Sequence, residues 1–283
     1  MPIVAEEKRN QLIRDGFCVF ENVLAPEMVA RLNDMSEWMI AQQEEEHFEQ
    51  HRSQGCLIPY WTCPHPAFTE LLIYPGAIAV LAELGFDSPK FWSGFVISKP
   101  PHSPPLYWHH DGVLWEHPIS YTNQPQQYFL MYYLVDTNMH NGCLRLIPGS
   151  HLRRHPLHDM RPRDDDTVIN ATDPDHLAFQ QIEGEVDVPV RAGDVVIGDS
   201  RLLHSARANQ TDQRRTVLTL WYWPAYDDMP DEVKALIRDH ITSRSEWVDW
   251  VERTRHVTEP FLPVYEGEAE AVPWGIFPGE DLK

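Results

Sequence analysis

Two short segments carry residues whose types and spacing suit metal chemistry. In Leu106-Tyr-Trp-His-His-Asp-Gly112, His109 and Asp111 stand two apart, so on an extended backbone both side chains project to one face. An imidazole and a carboxylate on one face make two-thirds of a site suited to divalent iron. His110 points to the other face and reads as a bystander. An H-x-D tripeptide alone is common; the second segment gives it weight. Ala192-Gly-Asp-Val-Val-Ile-Gly-Asp-Ser-Arg-Leu-Leu-His204 reads as a Gly-Asp turn, a short apolar strand and a histidine at its far end. In a rolled sheet that histidine can face the first pair. His109, Asp111 and His204 then form a two-histidine, one-carboxylate set that leaves three positions open on iron, room for a bidentate co-substrate and O2. Zinc more commonly asks for Cys/His sets or H-E-x-x-H on a helix, and neither occurs here.

Past His204 the chain turns at Asn209-Gln-Thr-Asp212 and returns through Arg214 and Arg215 to Trp223, a hairpin signature. The return would set Arg214 or Arg215 beside the strand of His204. A guanidinium there can bind the distal carboxylate of 2-oxoglutarate through two parallel hydrogen bonds. Only one of two adjacent strand residues faces inward; the other is a solvent-facing charge.

These segments need a scaffold, and the rest of the chain predicts one. Ala5 to Asp15 reads as a polar helix ended by Gly16, followed by a strand over Phe17–Phe20. From Pro26, Met28, Val29, Leu32, Met35 and Met39 recur at helical spacing, and this helix is expected to run on into the acidic stretch from Gln42 to Gln54. A further helix is predicted from about Ala67 to Leu84. After Ser88 the pattern becomes short strands between turn signals: Phe91–Ser98, Tyr128–Val135, Cys143–Ile147, Val186–Val190, Asp194–Ile197 and Arg215–Trp223. Residues from His151 to Glu185 read as a long surface excursion. A last amphipathic helix, about Asp231 to Val251, leads into a Pro- and Glu-rich tail. The pattern predicts a mainly β fold, an antiparallel sandwich or barrel with flanking helices, in one domain over residues 1–283.

A net charge of −20 disfavours nucleic acid and anionic membrane surfaces as partners, and a polyanionic substrate would need a local basic pocket. Cys18, Cys56, Cys63 and Cys143 show no C-x-x-C spacing and read as reduced, mostly buried thiols. There is no signal-like apolar run and no stretch long enough to span a bilayer, so a soluble, cytoplasmic protein without membrane insertion is expected.

The chain resembles the phytanoyl-CoA dioxygenase family across most of its first 223 residues. The likeness begins with Asp15-Gly-Phe-Cys-Val-Phe-Glu-Asn-Val-Leu24 and continues through Lys99-Pro-Pro101, Trp108-His-His-Asp-Gly112, Asn141-Gly-Cys-Leu144 and Ile147-Pro-Gly-Ser-His151. It finishes with Ala192-Gly-Asp194, His204, Asn209 and Arg214-Arg215. The resemblance implies a double-stranded β-helix (jelly-roll) core, Fe(II), and oxidative decarboxylation of 2-oxoglutarate with O2, ascorbate being useful in assay. It places His109, Asp111 and His204 at the metal positions and Arg215 at the position that binds the 2-oxoglutarate carboxylate. The family often has Ser two residues after the distal histidine; here Ala206 stands there, and Ser205 one earlier. Halogenating relatives lack the metal-binding carboxylate, so the presence of Asp111 favours hydroxylation, or another oxidation, of a small-molecule substrate over halogenation.

Tyr60, Trp61, Trp92, Tyr107, Trp108, Trp115, Tyr128, Trp221 and Trp223 are candidate pocket walls, although core packing accounts for most of them. An aromatic wall in an acidic protein would suit a small cationic or amphipathic molecule; Lys99 could instead meet an anionic group. His47, His51, His65, His155, His158, His176, His240 and His256 read as solvated surface residues, and His151 is not expected to be a ligand. The competing readings are a jelly-roll protein that binds metal or ligand without turnover, and a different metal on the same fold.

Overall fold

Helices dominate the first third because prolines and glycines punctuate its short apolar repeats. In the computed structural model, which describes residues 3–63 and 65–283, α1 (Ile3–Asp15) ends at Gly16, whose φ is +87°. A Cβ on Gly16 would lie 2.7 Å from both His151 Nδ1 and Leu202 Cδ1, so glycine lets the chain close onto the core here. β1 (Phe17–Phe20) follows directly. α2 (Pro26–Ala41) begins on its proline and buries Met28, Leu32, Met35 and Met39. It stops at Ala41; α3 (Glu45–Gln50) is a separate turn and a half, so the predicted continuous helix does not form. The helix predicted from Ala67 to Leu84 is likewise two, α4 (Ala67–Leu72) and α5 (Pro75–Glu83). Pro75 has no N–H to continue α4 and instead starts α5.

The strands are β2 (Ile58–Pro59), β3 (Lys90–Lys99), β4 (Tyr128–Tyr133), β5 (Leu144–Leu146), β6 (Val186–Val188), β7 (Val195–Asp199), β8 (His204–Ala206) and β9 (Arg215–Trp223). They form a six-stranded sheet in the order β1-β7-β4-β9-β3-β2 and a three-stranded sheet in the order β6-β5-β8, with every pair antiparallel. The two sheets make a jelly-roll core flanked by helices. Along β9 the side-chain alternation separates two environments. Arg215, Val217, Thr219 and Trp221 line a cavity between the sheets, while Leu218, Leu220 and Tyr222 pack into the larger core beneath the helices.

One topological expectation is overturned. The turn at Asn209–Asp212 is not a hairpin: β8 pairs with β5 in the small sheet, and β9 pairs with β3 and β4 in the large one. Asn209 explains the redirection. Its Oδ1 accepts from Thr211 N (3.1 Å), and its Nδ2 donates to Gln213 O (2.7 Å) and Pro100 O (3.0 Å), so the chain crosses from one sheet to the other.

The stretch from His151 to Glu185 is also more than a surface excursion. With α6 (Asp166–Ile169) in its middle, it buries Leu157, Val168, Ala178 and Phe179 and brings Met160 and Ile169 to the cavity. The helix predicted from Asp231 to Val251 divides into α7 (Asp231–Thr242) and α8 (Ser245–Thr258). Beyond them the tail docks partly through main chain: Gly275 N donates to Val113 O and Trp115 N donates to Gly275 O, each at 3.1 Å. All four cysteines are free and buried. Among the described residues, no helix is long and apolar enough to cross a membrane.

Candidate metal centre and its cavity

His109 is not in a regular strand. A single antiparallel bridge joins it to His204, the first residue of β8, through His109 N to His204 O (3.0 Å) and His204 N to His109 O (2.8 Å). This pair of bonds sets the two rings 4.2 Å apart between centroids. Two residues on, Asp111 N donates to Ser200 O, which fixes the carboxylate over the same spot. The His109, Asp111 and His204 side chains then offer one ligand atom each, all within 4.8 Å of one another.

The hydrogen bonds behind these rings define their tautomers. His109 Nδ1 faces Tyr107 O at 3.0 Å and His204 Nδ1 faces Leu202 O at 2.9 Å. A carbonyl only accepts, so both Nδ1 atoms carry the proton, which leaves each Nε2 as the atom that can turn a lone pair inward toward a cation. His109 Nε2 is 3.8 Å from Asp111 Oδ1, and His204 Nε2 is 3.6 Å from Asp111 Oδ2. Lone-pair donors converging in this way fit a divalent cation, and a two-nitrogen, one-oxygen set fits iron. Trp221 Nε1 donates to Asp111 Oδ2 at 3.1 Å and holds the carboxylate from the large sheet.

The loop between β7 and β8 that delivers His204 is built on an ion pair that the sequence did not single out. Asp199 and Arg201 are buried and pair at 2.7 Å; Arg201 also donates to Ser120 O and Thr122 O. Burial alone would raise the Asp199 carboxyl, but the Arg201 charge and its hydrogen bonds outweigh that and hold it below the usual aspartate value. Asp199→Asn is therefore expected to cost about 3–5 kcal/mol by leaving a buried guanidinium unneutralised. The difference from wild type should be full at pH 7 and shrink as pH falls below about 4, since a depressed carboxylate stabilises the fold only while ionised. Urea midpoints of both proteins across that range provide the check. Ser150, in the Pro148-Gly149-Ser150 turn, supports the same loop by accepting from Leu203 N at 2.9 Å.

The centre opens into a cavity of about 480 Å3. At its inner end lies Arg215, 4% exposed, with no ion pair or hydrogen bond among the described residues; its Nε is fully enclosed. Burial draws its pKa below the usual arginine value. A buried guanidinium without an anion costs stability, so the cavity provides a place for one. Gly142, with φ +87°, lies beside it; a Cβ there would be in ordinary contact with Arg215 Nε at 3.5 Å but would crowd Arg207 O and Lys99 Cδ at 3.1 Å. Arg214 does not line the cavity, but it is not the solvent-facing charge expected either: it is half-buried, and its Nη1 is enclosed with no hydrogen-bond partner among the described residues.

The other assignments divide. His110 stays outside the three-residue cluster; its Nδ1 faces Trp115 Nε1 at 3.5 Å, and burial beside His158 lowers its pKa to about 3. Ser205 spends its hydroxyl on Leu106 O and on Arg145 Nε, so it does not replace the serine missing at Ala206. Lys99 neither faces the cavity nor is solvated: it is 1% exposed and donates to Ser53 O and Pro104 O. Of the aromatic candidates, Trp92, Tyr107, Trp108 and Trp221 line the cavity, whereas Tyr60, Trp61, Trp115, Tyr128 and Trp223 pack elsewhere. His158 is buried rather than solvated, and His51, at the end of α3, and His240, in the last turn of α7, reach the cavity wall. His151 is buried against Ile13 O and takes no part in the cluster.

A family model described as phytanoyl-CoA dioxygenase matches residues 64–217. Ectoine dioxygenase of Nocardia farcinica (strain IFM 10152) is 25% identical over 241 residues, 77% of each chain. Two solved structures share the fold. The epimerase SnoN in complex with Fe3+, alpha ketoglutarate and nogalamycin RO is 24% identical, with a TM-score of 0.60 over 80% of this chain and 86% of that one. HygX from Streptomyces hygroscopicus, with nickel, 2-oxoglutarate and hygromycin B bound, is 20% identical, with a TM-score of 0.56 over 77% and 87%.

Proposed function

Because the chain belongs to the phytanoyl-CoA dioxygenase family and is thereby an Fe(II)- and 2-oxoglutarate-dependent oxygenase, we propose that His109, Asp111 and His204 hold the iron, that Arg215 holds the 2-oxoglutarate, and that one domain over residues 1–283 hydroxylates an unactivated C–H of a small molecule. When bound, iron with 2-oxoglutarate and O2 supplies an oxidant strong enough for such a bond and releases succinate and CO2. The observation that carries the reading is the shared cavity: three converging lone-pair donors at one wall and an enclosed, unneutralised arginine in the same space.

The chain's own groups do the rest. Tyr107 O and Leu202 O keep the imidazoles in the ligating tautomer. Trp221 keeps the Asp111 carboxylate turned toward them. The Arg215 guanidinium orients a dicarboxylate by its far end, and the apolar surfaces of Ile97, Met131 and Val217 keep water from the reacting groups. Ectoine, nogalamycin RO and hygromycin B appear in the names of related proteins, and all are small molecules, which supports a small-molecule substrate here. The test is succinate release with Fe(II), ascorbate and 2-oxoglutarate against a metabolite panel. Turnover should require O2 and stop on chelation; substrate conversion that persists without O2 would remove the oxygenase reading in favour of another metal chemistry.

A further inference from the structure

The outer part of the cavity is lined by groups for which the oxidising centre has no use. A bulge in β3 between Phe91 and Ser93 shifts the register, so that Trp92 and Ser93 both reach the cavity wall. Trp92 is 9% exposed, and its Nε1 is a buried donor with no hydrogen-bond partner. Around it stand His240 of α7 and Trp274 of the tail, with ring centroids 5.1 and 5.8 Å from the Trp92 ring. His240 and Trp274 stack on each other at 4.6 Å. Trp274 nonetheless remains 43% exposed, a large flat surface at the cavity mouth.

Arg244 completes the group. Its Nη2 donates to His240 Nε2 at 2.8 Å, and its guanidinium lies 5.7 Å from the Trp61 ring; it has no ion pair among the described residues. The bond from Arg244 requires a neutral His240, and burial together with the Arg244 charge keeps that imidazole neutral to about pH 4. The carboxylates on the cavity wall are Asp111, at the metal centre, and Asp164, which pairs with Arg161 at 3.8 Å. The chamber therefore presents aromatic faces and an unneutralised guanidinium, and lacks a spare negative group.

We propose that this chamber binds a flat, mainly apolar molecule bearing one anionic oxygen group, such as a carboxylate. Arg244 pairs with the acid, and the ring system lies against Trp274. This rests on the oxygenase reading for its place beside the oxidant. It reverses the expectation that the aromatic wall serves a cation, because Arg244, bonded to His240, already places an unneutralised positive charge beside these rings. The negative protein as a whole would repel an anion, and the local basic group is what admits it.

The test uses the holoenzyme with Fe(II) and excess 2-oxoglutarate under argon, so that the Arg215 end is already filled. Calorimetric titration compares 2-naphthoate, 2-naphthamide and 2-naphthylmethylamine. Naphthoate should bind at least about tenfold more tightly than the amide, with the amine weakest. Arg244→Gln should bring naphthoate to the level of the amide, and Trp274→Ala should weaken both alike. Failure of naphthoate to bind, a preference for the amine, or an acid-to-amide ratio unmoved by Arg244→Gln overturns the proposal. A separate titration of 2-oxoglutarate into the Fe(II)-loaded protein reports on the oxygenase reading alone. Its failure would sink that reading, while the naphthyl series run on the same protein would still decide the acid preference.

Discussion

Asp111→Ala will lose iron on gel filtration and bring succinate release to the level of the enzyme-free control, while the protein stays folded. The carboxylate is the only anionic member of the cluster, and its two oxygens face the two Nε2 lone pairs at 3.8 and 3.6 Å. Removing it takes away both a ligand and the charge that favours a divalent cation over water. A graded companion is Trp221→Phe, which removes the donor to Asp111 Oδ2 and keeps the ring bulk. Loss of such a supporting partner typically costs roughly 10–100-fold in metal affinity or activity, and Asp111→Ala must cost more. Metal analysis and succinate assay of both variants decide the matter; an Asp111→Ala protein that keeps its iron and turns over would dismiss the assignment.

Arg215→Ala should weaken 2-oxoglutarate binding by about 2–5 kcal/mol, roughly 30-fold or more in Kd, the usual cost of truncating one side of a buried, hydrogen-bonded charge pair. Arg214→Ala should change it little, because that side chain, just before β9, lies outside the cavity. Stability supplies an independent signature. Without ligand, Arg215 is a buried charge lacking an anion, so its removal should leave the ligand-free protein no less stable. With 2-oxoglutarate, the wild-type midpoint should climb and that of Arg215→Ala should stay flat. Equal effects of the two alanine variants on the 2-oxoglutarate isotherm would mean that strand alternation had been read incorrectly.

The residues of the centre were legible because their logic is local. Side-chain alternation in His109-x-Asp111 depends only on extended backbone, and the two side chains share one face although His109 makes a lone bridge rather than a strand; Arg214 leaves the cavity to Arg215 but is half-buried rather than a solvent-facing charge. The route between His204 and Arg215 was not legible. Asn209-Gln-Thr-Asp212 has the composition of a hairpin turn, and what sends it across to the other sheet is the Asn209 amide bonding to Pro100 O, more than a hundred residues away (|i−j| = 109). The Asp199–Arg201 pair was hidden for a related reason: a charged pair two apart reads as a polar loop until Ser120 and Thr122 are seen to enclose it. The outer chamber was least legible. His240 and Trp274 come from segments that read as a helix face and a polar tail, and Trp92 reaches the wall only because a bulge breaks the alternation of β3.

The docking of Gly275 onto Val113 and Trp115 carries a consequence for how the protein comes into being. Its oxidising groups and the wall that guards them belong to parts of the chain made at different times: His204 and Arg215 emerge from synthesis well before Trp274 and Phe277 do. A chain that has folded only its sheets can already gather the ligand set while its reactive centre stands without its roof. Iron loaded at that stage would sit beside unprotected side chains instead of a chosen substrate, so a safe order of assembly places closure of the tail ahead of the metal.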